Sequence, residues 1–247
     1  MNIVVTAGNT VVPIDQVRCI TNIFSGRTGT RIALHAHKAG HNVTLLTSHP
    51  ELVAEMGTTS RTERWLVLPY RTFGDLQNHL EYTMCRGNAD VLIHCAAVSD
   101  YQSAGIYGLT PGTKFDPEQK TWQSEQGPPQ LVDRAAGKVK SDEPELWLRL
   151  VRTPKLIGCV RTEWDFHGIL VKFKLEVGLR DEALLDVAER SRRHSDADLM
   201  VANTLEGAYS WAFLGPVEGQ YQRVARADLA VRLLEAVERC AQERKHG

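Results

Sequence analysis

A glycine-rich turn near the start of the chain is the first candidate for chemistry. It spans Ser25 to Gly29 (SGRTG), after an apolar run at 3–5 and a first turn at 6–10. Glycines let backbone N–H groups approach an anion, and a helix N-terminus favours negative charge. The turn is not the G-x-x-x-x-G-K-S/T phosphate loop, and the first turn does not spell G-x-G-x-x-G. On the glycines alone, an ordinary helix start is the better explanation.

Four polar residues further along the chain are weaker candidates. Lys138 and Lys140 in GKVKSD project the same way if extended, and an ammonium group can stabilise a developing phosphate charge. Spacing alone favours solvated loop lysines. Asp100 and Asn203 each follow an apolar strand pattern, where polar groups of a parallel sheet can contact a ribose or a base. Capping of the following loop is the alternative, and their position at the ends of the strands favours function.

The aromatic and histidine residues offer little. Phe173 and Lys174 lie in the strand pattern VKFKLEV and face opposite ways, so Phe173 is most simply a core residue, with base stacking as the sharper option. None of the nine histidines forms a metal-site pattern. His94, within an apolar strand pattern, is expected to be a hydrogen-bonded core residue. We find no Ser-His-Asp, Cys-His or Tyr-x-x-x-Lys arrangement.

Composition narrows the class of protein. The 247 residues carry a formal net charge of −1, which argues against a general nucleic-acid binder. The five cysteines are unpaired by spacing, and no signal peptide is visible, so free thiols in a reducing cytoplasm are expected. No apolar run approaches the ~18 residues that a membrane span needs.

Strand patterns alternate with helix patterns along most of the chain, which predicts an α/β fold. The architecture expected is a three-layer Rossmann-like sandwich with a mostly parallel central sheet, in one domain over 1–247. Predicted strands cover 3–5, 42–47, 65–69, 90–97, 145–150, 168–177 and 198–203, with an edge hairpin at 209–214 and 221–224. The first predicted helix begins near 26–29. Further helices are predicted at 73–85, at 154–164, at 181–193 with Asp181 as N-cap, and from Leu229 to beyond Ala241.

One segment breaks this pattern. Residues 102–137 hold five glycines and four prolines in 36 positions, with little periodicity. Long segments without regular structure are usually functional or disordered. A flexible insertion and a lid or dimer strap are equally consistent with the composition.

Several segments together resemble the phosphopantothenate–cysteine ligase family, also called phosphopantothenoylcysteine synthetase. They are, in order, VTAGNTVVPID, VRCITN, SGRTG, CAAVSDY, GKVKSD, TPKLIG, VKFKLEV and VANTLE. The resemblance spans nearly the whole chain except 102–137. No single motif is decisive, whereas the ordered set is specific.

The resemblance implies a reaction and its partners. Such enzymes activate the carboxylate of 4′-phosphopantothenate with a nucleoside triphosphate and Mg²⁺, and they release pyrophosphate. The amine of L-cysteine then attacks the acyl-nucleotide, giving 4′-phosphopantothenoyl-cysteine for coenzyme A synthesis. The family is a homodimer. Bacterial members are often fused to a flavin-binding decarboxylase, which this sequence does not show, so neither FMN nor decarboxylation is expected.

The resemblance also implies roles for particular residues. Asn22 matches an asparagine at the acyl-nucleotide, and Lys138 a lysine that stabilises the activated phosphate. Arg18 matches an arginine that reaches the substrate phosphate across the dimer. The AAVSD segment matches a segment that touches substrate and nucleotide. The remaining matches are Ala96 to substrate, and Gly8, Ser25, Gly26, Gly29, Ala97, Asp100, Phe173 and Asn203 to nucleotide.

Departures from the family pattern bear on the choice of nucleotide. Asn9 replaces a second glycine, and Phe24 removes a hydroxyl from the phosphate loop. Ser191 and Ser195 stand where many bacterial members have two lysines that contact CTP. Together with the segments SDY, PKL and FKLE, these departures favour ATP over CTP as the nucleotide that the protein uses.

Two alternatives remain open at the level of sequence. One is an NAD(P)-dependent Rossmann oxidoreductase, which rests only on the β-α pattern and TAGNT. The other is a non-catalytic nucleotide- or metabolite-binding relative, which the changes at Asn9 and Phe24 keep open.

Overall fold

The structure is a computed structural model that describes residues 1–57, 63–86 and 88–246. The chain divides into two compact units. The large unit comprises Met1–Thr10, Ile23–Val98 and Lys155–Gly247, and the small unit comprises Val11–Asn22 and Ser99–Pro154. The single-domain organisation expected from the sequence stays a prediction.

The large unit is built on an eight-stranded sheet in the order β15-β14-β13-β12-β6-β1-β4-β5. Six neighbouring strands, β13, β12, β6, β1, β4 and β5, run parallel to one another. β14 and β15 add an antiparallel hairpin at the β13 edge. The mostly parallel sheet and its hairpin are therefore confirmed. Its strands are β1 (Asn2–Ala7), β4 (Asn42–Thr47), β5 (Trp65–Pro69), β6 (Val91–His94), β12 (Ile169–Glu176), β13 (Leu199–Thr204), β14 (Trp211–Val217) and β15 (Gln220–Ala225).

Helices cover both faces of this sheet, because its central strands are apolar on both sides. Ile3 and Val5 pack into a cluster with α1 and α6, whereas Val4, Leu92 and Leu170 pack into a second cluster with α3 and α4. The three-layer arrangement is thus confirmed. The helices are α1 (Arg27–Lys38), α2 (Glu51–Glu55), α3 (Phe73–Arg86), α4 (Leu156–Thr162), α5 (Asp181–His194) and α6 (Leu229–His246).

The predicted elements of the large unit agree with the structure within a few residues at each end. The strand predicted at 90–97 is shorter, because its last residues form the loop that leaves the sheet. Asp181 is not the N-cap of α5: that position is held by Arg180, and Asp181 is the first helical residue. Helix α2 was missed, since five residues carry no readable period.

The small unit is entirely strands and connections. A three-stranded antiparallel sheet has the order β10-β7-β11, and two hairpins are formed by β2-β3 and β8-β9. The strands are β2 (Val11–Pro13), β3 (Cys19–Thr21), β7 (Tyr101–Leu109), β8 (Thr113–Asp116), β9 (Thr121–Ser124), β10 (Leu131–Asp133) and β11 (Trp147–Arg152).

The prediction that 102–137 lacks regular structure was wrong. The segment holds most of β7 and all of β8, β9 and β10. Two of its five glycines, Gly105 and Gly108, lie within β7, and a Cβ at Gly108 would lie 2.9 Å from Glu143 Oε2 and 3.0 Å from Arg134 Nε. β7 pairs with β11 from Tyr101 opposite Arg152 onward, so the pairing is distant in sequence. Within the described part of the chain, no helix is long and apolar enough to cross a membrane.

Candidate functional site

The turn after β1 and the start of α1 are in direct contact in the large unit. A Cβ at Gly26 would lie 2.3 Å from the backbone nitrogen of Gly8, and one at Gly29 would lie 2.7 Å from Ala7 Cβ. Gly8 and Gly26 both have left-handed backbones, with φ of 93° and 85°. Only glycine fits such a contact without strain. The two predicted phosphate turns therefore form one surface, although the contacting residues Gly8 and Gly26 are 18 positions apart in sequence.

The first turn of α1 is free of side-chain capping. Its N-cap, Gly26, provides no side chain, and the turn contains no acidic residue. The half-buried guanidinium of Arg226 donates to Thr28 Oγ1 in this turn, and burial lowers the pKa of Arg226. Backbone N–H groups, a helix dipole and an arginine thus face the same place. This combination can bind an anion such as a phosphate.

The structure shows the surroundings of Asn9 and Phe24, the two departures from the family pattern in the turns. Asn9 is buried and bonded to Ser48, whose hydroxyl accepts from the Asn9 N–H at 2.9 Å and donates to Asn9 Oδ1 at 3.0 Å. This pair holds the turn after β1. Phe24 is half-buried next to Ser25, before the start of α1.

A polar row crosses three neighbouring strands on one face of the sheet. Thr6 pairs with His94, and His94 pairs with Lys172, in the register of β1, β6 and β12. Thr6 Oγ1 lies 3.0 Å from His94 Nδ1 and accepts from the Ala96 N–H at 3.0 Å. Burial, with the nearby Lys172 charge, lowers the pKa of His94 to about 4. His94 is therefore neutral at pH 7, and the row fixes the start of the AAVSD segment.

The loop after β6 is tied back to the turn after β1. Ala97 N–H donates to Gly8 O at 2.8 Å, and Thr10 N–H donates to Ala97 O at 3.3 Å. Ala96 and Ala97 therefore lie beside the Gly8 turn. Two further predicted residues lie in the carboxyl halves of neighbouring strands: Phe173, half-buried in β12, and Asn203, 6% exposed in β13.

Lys172 was missed at the level of sequence. Its ammonium donates to the carbonyl of Ser191 at 3.0 Å and to Ser195 Oγ at 3.2 Å, so both serines that replace family lysines contact a lysine from the strand. Burial, together with the charges of Lys174 and Lys155, lowers the pKa of Lys172 to about 8. A lysine within a strand pattern gives no local signal of such contacts.

The small unit is organised around Asp15, a second residue that the sequence did not single out. Asp15 Oδ1 accepts from the backbone N–H groups of Val17 and Arg18 at 2.9 and 2.7 Å. Its Oδ2 accepts from Arg18 Nη2 at 2.6 Å and from the Val139 N–H at 3.1 Å. The Asp15 side chain is fully buried, and these bonds, that of the Arg18 guanidinium foremost, hold its pKa well below the usual range.

This network presents Lys138. Both neighbours of Lys138 are fixed: Gly137 O accepts from the Gln16 N–H at 3.0 Å, and Val139 O accepts from Arg18 Nη2 at 2.9 Å. The Lys138 side chain itself is exposed. The small unit therefore brings Arg18 and the Lys138 segment together, although they are about 120 residues apart. Asn22 follows β3, and the Asp100 carbonyl accepts from the Thr153 N–H at 3.0 Å before β7.

The predicted site residues thus form two groups. The large unit holds Gly8, Ser25, Gly26, Gly29, Ala96, Ala97, Phe173 and Asn203. The small unit holds Arg18, Asn22, Asp100 and Lys138. Within the described ranges, no cluster of three His, Cys, Asp or Glu residues could hold a metal ion. The individual roles of these residues stay predictions.

Comparison with known proteins gives consistent matches. Residues 1–108 match the family model of the DNA/pantothenate metabolism flavoprotein C-terminal domain. The chain is 30% identical over 242 residues to the coenzyme A biosynthesis bifunctional protein CoaBC of Thermococcus kodakarensis, covering 96% of this chain and 51% of that protein. It is 28% identical over 203 residues to CoaBC of Escherichia coli, covering 82% and 41%. The chain therefore spans about half the length of these relatives.

Solved structures agree with this assignment. The DNA/pantothenate metabolism flavoprotein from Streptococcus pneumoniae superposes with a TM-score of 0.75 at 28% identity, covering 96% of this chain and 98% of that one. A Cab2 mutant in complex with phosphopantothenate-cysteine superposes with a TM-score of 0.69 at 18% identity, covering 99% and 88%, and shows the shared fold. These matches confirm the resemblance drawn from the sequence: the chain is similar to the DNA/pantothenate metabolism flavoprotein C-terminal domain and to the coenzyme A biosynthesis proteins that contain it.

Proposed function

We propose that the protein joins 4′-phosphopantothenate to L-cysteine through an acyl-nucleotide intermediate, in coenzyme A biosynthesis. The observation that carries the proposal is the contact of Gly26 with Gly8, which places an α1 N-cap without a capping side chain beside the Ala96–Ala97 loop. Phosphate binding at such a helix start needs no further side chain. The family resemblance supplies the reaction.

The chemistry demands positive charge, because a carboxylate and a polyphosphate repel each other. In the large unit the α1 start and Arg226 supply it. In the small unit Lys138 and Arg18 are the cations that the proposal uses. Lys138 stabilises the charge that develops on the α-phosphate as pyrophosphate leaves, and Asn22 contacts the acyl-nucleotide. Holding both reactants supplies much of the remaining rate enhancement.

The proposal extends to co-substrates and assembly. Mg²⁺ accompanies the triphosphate, and ATP is favoured over CTP because Ser191 and Ser195 replace the lysines that contact CTP in many bacterial members. The active form is a homodimer in the cytoplasm.

The decisive experiment measures pyrophosphate release with purified protein, Mg²⁺, 4′-phosphopantothenate and cysteine, using ATP and CTP in parallel. We expect release that depends on phosphopantothenate, with phosphopantothenoyl-cysteine detected by mass spectrometry. Thermal stabilisation by NAD(P) instead of ATP or CTP would favour the oxidoreductase alternative. Nucleotide binding without pyrophosphate release, from folded protein, would favour the non-catalytic relative.

A further inference from the structure

Lys172 is a cation in the large unit for which the described residues provide no counter-charge. Its two hydrogen-bond partners, the Ser191 carbonyl and the Ser195 hydroxyl, are neutral oxygens. Among the described residues, no carboxylate lies within ion-pair distance of its ammonium. Lys172 is half-buried, and partial desolvation of a cation without a partner of opposite charge costs free energy. The protein therefore retains at this position a charge that its own fold does not neutralise.

The charged and titratable groups around Lys172 reinforce this. Lys174 lies two residues along the same strand, and Lys155 lies at the start of α4; both oppose the Lys172 charge. On β6, the paired His94 is kept neutral. Helix α5 contributes the two serine oxygens. Lys174 itself pairs with Glu176 at 2.9 Å, but the charges that lower the pKa of the Lys172 ammonium are cationic, and they favour an incoming anion or carbonyl oxygen.

Lys172 also lies level with the carboxyl end of β6, because it pairs with His94, the last residue of that strand. It is in β12, directly before Phe173, and β12 runs parallel with β6 and β13. Ligands of open α/β sheets bind at the carboxyl ends of such strands. Two of the three ammonium hydrogens are used by Ser191 and Ser195. A third donor remains for a ligand.

We infer that Lys172, held in place by Ser191 and Ser195, is a nucleotide-contact residue that donates to an oxygen of the nucleoside triphosphate. The inference rests on the proposed function and adds to it a residue that determines nucleotide affinity. Capping of the last turn of α5 is the competing explanation, because lysines commonly bind the last carbonyls of a helix. The two explanations predict opposite results for stability and binding.

The test compares wild type, Lys172→Met and the matched control Lys174→Met, whose ammonium already pairs with Glu176 at 2.9 Å. Dissociation constants are measured by calorimetry for ATP and CTP with Mg²⁺ and for tripolyphosphate, alongside thermal melting at pH 7. We expect Lys172→Met to weaken the preferred nucleotide about tenfold or more, with Lys174→Met within about twofold. Weaker tripolyphosphate binding would assign the contact to a phosphate oxygen, and unchanged tripolyphosphate binding would assign it to the base or ribose.

A pH series on wild type supplies a readout that needs no variant to fold. The affinity should fall as the pH rises through about 8, where Lys172 loses its proton, and Lys172→Met should lack this fall. A Lys172→Met protein with wild-type affinity and a lowered melting temperature would overturn the inference in favour of capping. Wild type that binds neither nucleotide would overturn the proposed function first, and this inference with it.

Discussion

The two units hold their functional residues by different means. In the large unit the turns rest on a sheet whose central side chains, such as Val5, Ile93 and Val171, are completely buried. In the small unit only Val12, Ile106 and Val139 are buried hydrophobic residues. There the Asp15 carboxylate joins the turn that carries Arg18 to the segment that carries Lys138.

This difference explains what each unit can tolerate. Hydrophobic burial is non-directional and is shared among many side chains, so the large unit's strands are fixed redundantly. A carboxylate network depends on the geometry of a few atoms, and the loss of one acceptor leaves its donors unpaired. Substitutions should therefore damage the large unit mainly where they disturb close backbone contacts. In the small unit, the loss of a single polar group should be enough.

The largest effect is expected from Lys138→Gln in the small unit. Turnover should fall by ~100- to 1,000-fold, because the variant lacks the charge that opposes the developing phosphate charge. Stability should change by less than about 0.5 kcal/mol, because the Lys138 side chain is exposed. Steady-state kinetics and thermal melting measure both. Lys140→Gln, two residues away and also exposed, is the control; equal losses in both variants would remove the special role of Lys138.

In the large unit, Gly26→Ala should act through the backbone. Its Cβ would lie 2.3 Å from Gly8 N, at a φ of 85°. We expect a loss of about 2 kcal/mol or more in the free energy of unfolding, together with weaker nucleotide binding. Gly158→Ala is the matched control, since nothing lies within 4 Å of its added Cβ in α4; it should stabilise by ~0.5–1 kcal/mol. Urea unfolding that ranks Gly26→Ala level with Gly158→Ala would contradict the Gly8 contact.

Asp15→Asn should produce a smaller loss of kcat, which tests whether the small unit depends on a single carboxylate. The amide keeps one oxygen for the Val17 and Arg18 N–H groups, but its NH₂ would face the donors of Arg18 and Val139. We expect kcat to fall by ~10- to 100-fold, because Lys138 is displaced. Steady-state assays of the Asp15→Asn variant, in which Asn22 and Lys138 are unchanged, measure this fall in kcat.

Glu189→Gln is the control in the large unit. Arg192, Arg193 and Tyr221 bond Glu189 and lower its pKa to about 2, so this carboxylate resembles Asp15 in chemistry. A carboxylate with a lowered native pKa stabilises the fold at neutral pH, and this contribution is lost as the pH falls below its unfolded value of about 4. Both variants should therefore flatten the acid side of the stability profile, whereas only Asp15→Asn should reduce kcat. A comparable loss of kcat in Glu189→Gln would break the comparison.

The same contrast decides how much the sequence could predict. The strands and helices of the large unit can be predicted from the sequence, because burial of their faces imposes apolar runs and a hydrophobic periodicity on each segment. β7 gives no such signal, because it pairs with β11 across 40 or more residues and contains the glycines Gly105 and Gly108, where side chains pack closely. Composition therefore indicated flexibility where the chain forms strands. β11 itself lies within two residues of the strand predicted at 145–150.

For the site, residue types and the family resemblance found the glycine turns, the alanine loop and Lys138. Asp15 and Lys172 were missed for a physical reason. Each acts through contacts with residues distant in sequence: Asp15 with Val139, and Lys172 with Ser191 and Ser195. No local spacing encodes these contacts, and only the folded chain brings the atoms within hydrogen-bond distance.

The most direct test of the proposed reaction is a single-turnover experiment without cysteine. With Mg²⁺, 4′-phosphopantothenate and the preferred nucleotide, wild type should release about one pyrophosphate per active site and then stop, because the acyl-nucleotide waits for an amine. The burst should require phosphopantothenate, and Lys138→Gln should abolish it. Folded wild-type protein that shows no phosphopantothenate-dependent release with either ATP or CTP would contradict the account.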